Sequence, residues 1–234
     1  MGTIVNGKPI DLGDYINADD IAQLLKKKGK YSFSKLRLKL NNDRFKAFSQ
    51  SSGLLKGPFS EALFVKSYRV IGNSIQLLKP EYLDQIAQLI ARFLREEMLR
   101  LKRRFSFETV FSHSSNLDIM VRARDAGYKV YLYFVSTESP EINIYRVQLR
   151  VKKDGHNVPI EKIKGRYYNS LRLMYQAAEL CYQAFFFDNS KENAPYTLVG
   201  HFKKLGDHKE WDEIPENISK WFQKYYSPNA PIKH

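Results

Sequence analysis

Four short apolar runs of this chain each end in carboxylates, hydroxyls or amides. Asp19 and Asp20 follow Tyr15-Ile16-Asn17, and Glu108, Thr109 and Ser112 follow Phe105-Ser106-Phe107. Ser136, Thr137 and Glu138 close the run 129–135, and Asp188 and Asn189 follow Phe185-Phe186-Phe187. Arg146, Arg150 and Arg166 flank the turn Gly155-His156-Asn157-Val158-Pro159. Together these types suit phosphate handling. Guanidinium forks grip phosphate oxygens bidentately, while a carboxylate orients a hydroxyl. Each also has a plainer reading: Asp19 and Asp20 as helix-start carboxylates, the arginines as solvated helix residues, and His156 as a loop-packing residue.

Other chemistries are poorly provided for. One cysteine, Cys181, and five scattered histidines do not furnish a zinc site, and no metal site is expected from spacing. No nucleophile elbow or Ser-His-Asp arrangement stands out. Gly2 and Gly7-Lys8 match the Gly-x4-Gly-Lys spacing of a phosphate loop, but Thr3-Ile4-Val5 is poor material for an amide cradle. Pro9 also stands where a Ser or Thr should bind magnesium, so that match is rejected.

Periodicity supplies the elements that must position these groups. Tyr15-Ile16-Asn17 ends a strand, and a helix runs from about Asp19 to Lys27 with carboxylates in its first turn. Leu36, Leu38 and Leu40 alternate with basic residues, as in a strand. The runs 64–70 and 74–78 flank the turn Gly72-Asn73 as a hairpin. After Pro80 comes a long amphipathic helix, then a strand at 105–110 and a helix at 117–126 stopped by Gly127. The run 129–135 reads as a strand with both faces buried. Helices continue at 142–151 and 160–182, then strands at 185–187 and 196–202. This alternation predicts an α/β fold with a mostly parallel, doubly wound sheet. Ligands bind beyond the carboxyl ends of such strands, so Asp19 and Glu108 are expected to face one pocket.

The 234 residues carry a net charge of +13, and 43% are hydrophobic, with 15 Phe and 15 Tyr for a core. A single cysteine fits a reducing, cytoplasmic setting. No run approaches the roughly 18 apolar residues of a spanning helix, so no membrane partner is expected. The charge is local. Residues 26–79 hold 13 Lys/Arg against only Asp43 and Glu61, or +11. We therefore expect residues 1–27 and 81–234 to form the core and 28–80 a basic, partly β insertion with weak polyanion affinity.

At these residues the chain resembles the zeta-toxin-like branch of the P-loop kinases. The resemblance rests on Tyr15-Ile16-Asn17-Ala18-Asp19-Asp20-Ile21-Ala22 and on Phe105-Ser106-Phe107-Glu108-Thr109, and it runs on to Asp188-Asn189-Ser190. It implies a P-loop kinase type of sheet, ATP and magnesium as cofactors, and transfer of the γ-phosphate to a hydroxyl. In several members that hydroxyl belongs to a UDP-activated amino sugar, and an antitoxin protein is a possible partner. Asp19 would be the base and Glu108 would sit near the metal and substrate. Arg146, Arg150 and Arg166 would steady the transferring phosphoryl group, consistent with chemistry that relies on positioning and cationic clamps. Asn17, Asp20, Thr109, Ser112, His156 and Asn189 would contact substrate or phosphate.

The chain also departs from the family. The glycine loop expected before Tyr15 is missing, Asp154 stands where many relatives have glycine, and 28–80 has no counterpart. The resulting expectation is a phosphotransferase core, truncated and inactive as written. A non-catalytic binding module, or a nucleic-acid-binding protein using the basic segment, are the alternatives.

Overall fold

The structure is a computed structural model, which describes residues 4–5, 8–9, 11–153, 157–212 and 218–227. It is mixed α/β, with two compact units, Met1–Thr109 and Val110–His234.

The first unit opens with a short antiparallel hairpin, β1 (Ile4–Val5) and β2 (Lys8–Pro9). Next comes β3 (Asp14–Ile16), which pairs in parallel with the distant β7 (Phe105–Phe107), Tyr15 opposite Ser106. Gly13 makes this entry possible. Its φ is +67°, and a Cβ there would lie 2.5 Å from the Arg104 carbonyl oxygen. Helix α1 (Ala18–Lys28) starts because the Asn17 side chain accepts the Asp19 N–H at 2.8 Å. Its first turn carries Asp19 and Asp20 and its last turn Lys26, Lys27 and Lys28, as the helix dipole favours. Gly29, at φ 66°, ends it.

Helix α4 (Leu83–Arg100) is the hub of this unit. It packs against α1, β3 and β7 and also against α2 (Asn42–Ser51). Its Phe93 meets Phe33, Phe45 and Phe48 at ring separations of 6.2, 5.3 and 5.8 Å. The buried Glu97 carboxylate lies 2.5 Å from Arg44 and 2.9 Å from Arg100. Helix α3 (Glu61–Ser67) and an antiparallel sheet in the order β4 (Lys30–Ser32), β6 (Ser74–Leu77), β5 (Tyr68–Ile71) complete the layer.

Several sequence expectations change here. Residues 28–80 do not stand apart from a core, because Tyr31, Phe33, Phe45, Phe64 and Ile75 join Ile16, Ile21 and α4 in one buried cluster. The Leu36-Leu38-Leu40 alternation is not a strand. Residues 33–36 form a 3-10 turn, and Arg37 is left-handed at φ 52°. Asn73 fastens residues 38–40. Its side chain accepts the Leu40 N–H and donates to the Leu38 carbonyl, replacing a strand partner. The first part of 64–70 is helical, although the Gly72-Asn73 hairpin forms as expected.

The second unit holds α5 (Ser115–Asp125), β8 (Tyr131–Ser136), α6 (Pro140–Val151), α7 (Ile160–Glu179) and β9 (Gln183–Asp188). It continues with β10 (Thr197–Leu205), β11 (His208–Trp211) and α8 (Lys220–Tyr225). The sheet order is β11-β10-β9-β8, with β8 and β9 parallel and the rest antiparallel. Parallel pairing among the described residues is thus confined to β3/β7 and β8/β9, in place of one mostly parallel sheet. The last strands form a meander because β9, β10 and β11 are joined by connections too short for a helical crossover. Phe134, Phe186, Phe202 and Phe222 bury one sheet face with α7 and α8. The other face explains why 129–135 is not doubly buried. Tyr131 and Val135 are 48% and 43% exposed on an edge strand, and Tyr133 stacks on Phe185 and Phe185 on His201.

This packing generates two tests. Phe93→Ala should cost about 3–5 kcal/mol, read by urea denaturation, the usual range for emptying a buried Phe site. Burial pushes the Tyr31 and Tyr68 hydroxyls up to about 12. Their folded values exceed the unfolded one, so their contribution is complete below about pH 10 and is lost as pH rises towards 12. Tyrosinate absorbance and circular dichroism should change together across that window.

Candidate functional site

The carboxyl ends of β3 and β7 lie side by side, and residues of one parity on each share a face. Tyr15 in β3 with Asn17 just beyond it, and Ser106 in β7 with Glu108 just beyond it, fall on the same one. Their side chains meet. The Tyr15 hydroxyl donates to Glu108 Oε2 at 2.7 Å, and Asn17 Nδ2 donates to the same oxygen at 3.2 Å and to the Tyr15 hydroxyl at 3.0 Å. Burial, and then the bonded Glu108 carboxylate, push the Tyr15 hydroxyl above its ordinary range, so it stays a donor at neutral pH. Asn17 uses its other end, Oδ1, to cap α1. One amide thus fixes both the carboxylate and the start of the helix carrying Asp19. The Asp19 carboxylate is exposed and has no hydrogen-bond partner among the described residues.

Beside this network lies a notch of about 50 Å³, lined by Tyr15, Asn17, Asp20 and Lys35 over an apolar floor that includes Ile16, Ile21 and Leu94. Its volume is enough for a water or one small ligand group. A wider cleft of about 600 Å³ lies at the opposite, amino ends of β3 and β7, between Asp11, Gly13, Asp14, Arg37, Arg103 and Arg104. Its charges are largely taken up by the fold, since Arg103 binds Asp14 and Arg104 binds Asp11, each at 2.5 Å. The Gly13 N–H donates to Asp11 and the Asp14 N–H to the Arg104 carbonyl. These amides are occupied and two carboxylates stand among them. The described residues leading into β3 therefore do not fit a nucleotide's phosphates.

In the second unit the ends of β8 and β9 also meet. Asn189 N–H donates to the Ser136 carbonyl at 2.8 Å, and Glu138 N–H to Ser190 Oγ at 2.7 Å. The Asp188 carboxylate is consumed by Ser190 and by Trp221 Nε1 at 2.8 Å, and that of Glu138 accepts the Lys220 N–H at the start of α8. These two acids are latches. Tyr167 donates to the Thr137 carbonyl at 2.8 Å, holding the turn into α6.

The structure therefore brings Asn17 and Glu108 together, sets Asp19 one cap away, and puts Asp20 in the notch. Thr109 is exposed just beyond Glu108. Ser112 is half-buried in the second unit. Arg146 reaches the end of β9, its guanidinium 3.4 Å from the Lys191 carbonyl, close in sequence to Asn189. Arg150 is exposed in the last turn of α6, and Arg166 is half-buried in the second turn of α7. His156 lies outside the described residues. Two residues escaped sequence reading. Tyr15 was legible from its spacing of two from Asn17, but Lys35 carries no local signal.

No family model matches the chain. An uncharacterized protein of Haemophilus influenzae is similar to it, with 33% identity over 63 residues. The match covers 27% of this chain and 45% of that protein, so the chain spans less than half of the relative's length. No solved structure matches. Among the described residues no helix is long and apolar enough to cross a membrane.

The double use of Asn17 is separable by mutation. Asn17→Ala should cost about 1 kcal/mol through the lost cap. Asn17→Asp keeps the cap acceptor but places a second carboxylate against Glu108 Oε2, so its own loss of stability should shrink as salt rises. Urea denaturation at low and high salt checks both, and only the second variant should respond to salt.

Proposed function

We propose that this chain is a zeta-toxin-like phosphotransferase core that holds a hydroxyl-bearing small molecule, of the nucleotide-sugar class, at the carboxyl ends of β3 and β7. One observation carries the reading. Glu108 is fixed by Tyr15 and Asn17 directly beside the helix start that presents the unpartnered Asp19 carboxylate. A polar group held this way is pre-oriented, so little rotamer freedom is lost when an acceptor binds.

In this proposal Asp19 accepts the proton of the acceptor hydroxyl, and Glu108 orients that hydroxyl. Tyr15 and Asn17 keep Glu108 from turning away. Asp20 and Lys35 contact the acceptor in the notch, Asp20 as a hydroxyl acceptor and Lys35 as a partner for an anionic group. Arg146, Arg150 and Arg166 belong to the second unit and take no part in this site. ATP and magnesium are the donor system that the family resemblance implies. Since the described residues entering β3 do not fit phosphates, no step is assigned to ATP or magnesium, and the proposal extends to acceptor binding.

Calorimetry separates these statements. A UDP-linked amino sugar should bind the parent, and Lys35→Ala or Tyr15→Phe should weaken it by about 1 kcal/mol or more, the size of one hydrogen bond or a charged contact. Asp19→Asn should leave binding within about threefold, because the amide still accepts a hydrogen bond from the hydroxyl. ATP with magnesium should show no low-micromolar binding. Tight, magnesium-dependent ATP binding would overturn the donor half of the proposal, and no sugar-nucleotide binding would overturn the acceptor half.

A further inference from the structure

The β4-β6-β5 sheet carries two cations, Lys30 and Arg69, on a face that lines no part of the notch. Its inner face, with Tyr31, Ile75 and Tyr68, is buried against α2 and α3 through Phe45 and Phe64. Its outer face is polar and open. Register places Lys30 opposite Gln76 and Gln76 opposite Arg69, one row across all three strands. Arg69 Nε donates to Gln76 Oε1 at 2.6 Å, which aims the guanidinium along the row. Ser32, Ser74 and Ile71 form the next row.

A second observation extends this row. The Gly29 carbonyl accepts the Leu77 N–H at 2.9 Å, fastening the Lys26-Lys27-Lys28 end of α1 to the end of β6. All three lysines and Lys30 are exposed. The two acids of the segment lie on the helical layer instead. Asp43 is in the first turn of α2, and Glu61 is in that of α3, bound by Gln50 at 3.1 Å. Lys30 and Arg69 thus stand on an outer face whose rows hold no carboxylate, while Arg44, Lys46 and Lys66 share the helical layer with Asp43 and Glu61.

We propose that this outer face binds the phosphate backbone of duplex nucleic acid, through Lys30 and Arg69 in the row and Lys26, Lys27 and Lys28 beside it. The face favours a duplex over single strands, because its open residues include no aromatic ring on which an unstacked base could lie. With no helix of the described residues on this face to enter a groove, the contacts go to phosphates and do not read sequence. Serine hydroxyls at 32 and 74 supply neutral donors to the same backbone.

Fluorescence polarisation with a short, labelled DNA duplex of mixed sequence tests this in the full chain. With five phosphate contacts, affinity should fall roughly 500-fold between about 50 and 200 mM salt, and with the two row residues removed only about 40-fold. The double variant Lys30→Glu with Arg69→Glu supplies the second case. Should it lose its thermal transition, Lys30→Gln with Arg69→Gln replaces it. Lys152→Glu with Lys153→Glu, on exposed positions of the other unit, should keep the parent's salt dependence. An unchanged salt dependence in the row variant, or no duplex binding by the parent, would overturn the proposal. So would displacement of the duplex by polyglutamate at equal charge concentration, which would assign the face to an acidic protein.

Discussion

The first unit depends on one non-local contact, the parallel pairing of β3 with β7. Three residue pairs, from Asp14 with Phe105 to Ile16 with Phe107, join segments about 90 residues apart in the chain. So short a ladder cannot stand alone, and its entry is reinforced from both strands. Gly13 lets the backbones approach, Arg103 bridges to Asp14 and to the Leu36 carbonyl, and α4 covers the Phe105 and Phe107 face. Everything proposed for the acceptor site inherits its geometry from this contact. Without the pairing, Glu108 would not meet Tyr15 and Asn17.

That dependence explains how the basic segment 28–80 is used. A chain that leaves β3 and returns at β7 must bury something in between, and the segment supplies it. Phe33 and Phe45 pack on Phe93 of α4 and Phe64 on Phe45, while the sheet they cover keeps Lys30 and Arg69 on its outer face. Burial and charge are sorted by strand alternation, so one segment is at once core and cationic surface. The buried Glu97, flanked by Arg44 and Arg100, fits the same pattern. A buried carboxylate is tolerated when cations compensate its lost hydration.

The second unit shows how strand-end polar residues divide between architecture and chemistry. Asp188 and Glu138 looked equivalent to Asp19 and Glu108 by position. In the fold they are saturated, the first by Ser190 and Trp221 and the second by the α8 terminus. Asp19 keeps an open carboxylate. Saturation by neighbours distinguishes a latch from a candidate base, and it depends on residues such as Trp221, distant in sequence from the acid they bind.

The sequence by itself determined the local events. It placed α1 from its acidic first turn, the Gly72-Asn73 hairpin, the long helix after Pro80 and the helices between β8 and β9. These are encoded within a few residues, through capping, turn geometry and hydrophobic spacing. It also placed Asn17, Asp19 and Glu108 at strand ends, since a polar residue after an apolar run is visible in one dimension. Only the tertiary structure decided the partners. The Leu36-Leu38-Leu40 alternation became a turn because Asn73 was there to hold it. The run 129–135 became a half-exposed edge because helices cover only one of its faces. Lys35 entered the notch because the turn after β4 comes to lie beside Asp20, Ile21 and Leu24 of α1. Each of these outcomes depends on which surfaces meet at long sequence separation, and residue types and local spacing do not carry that information.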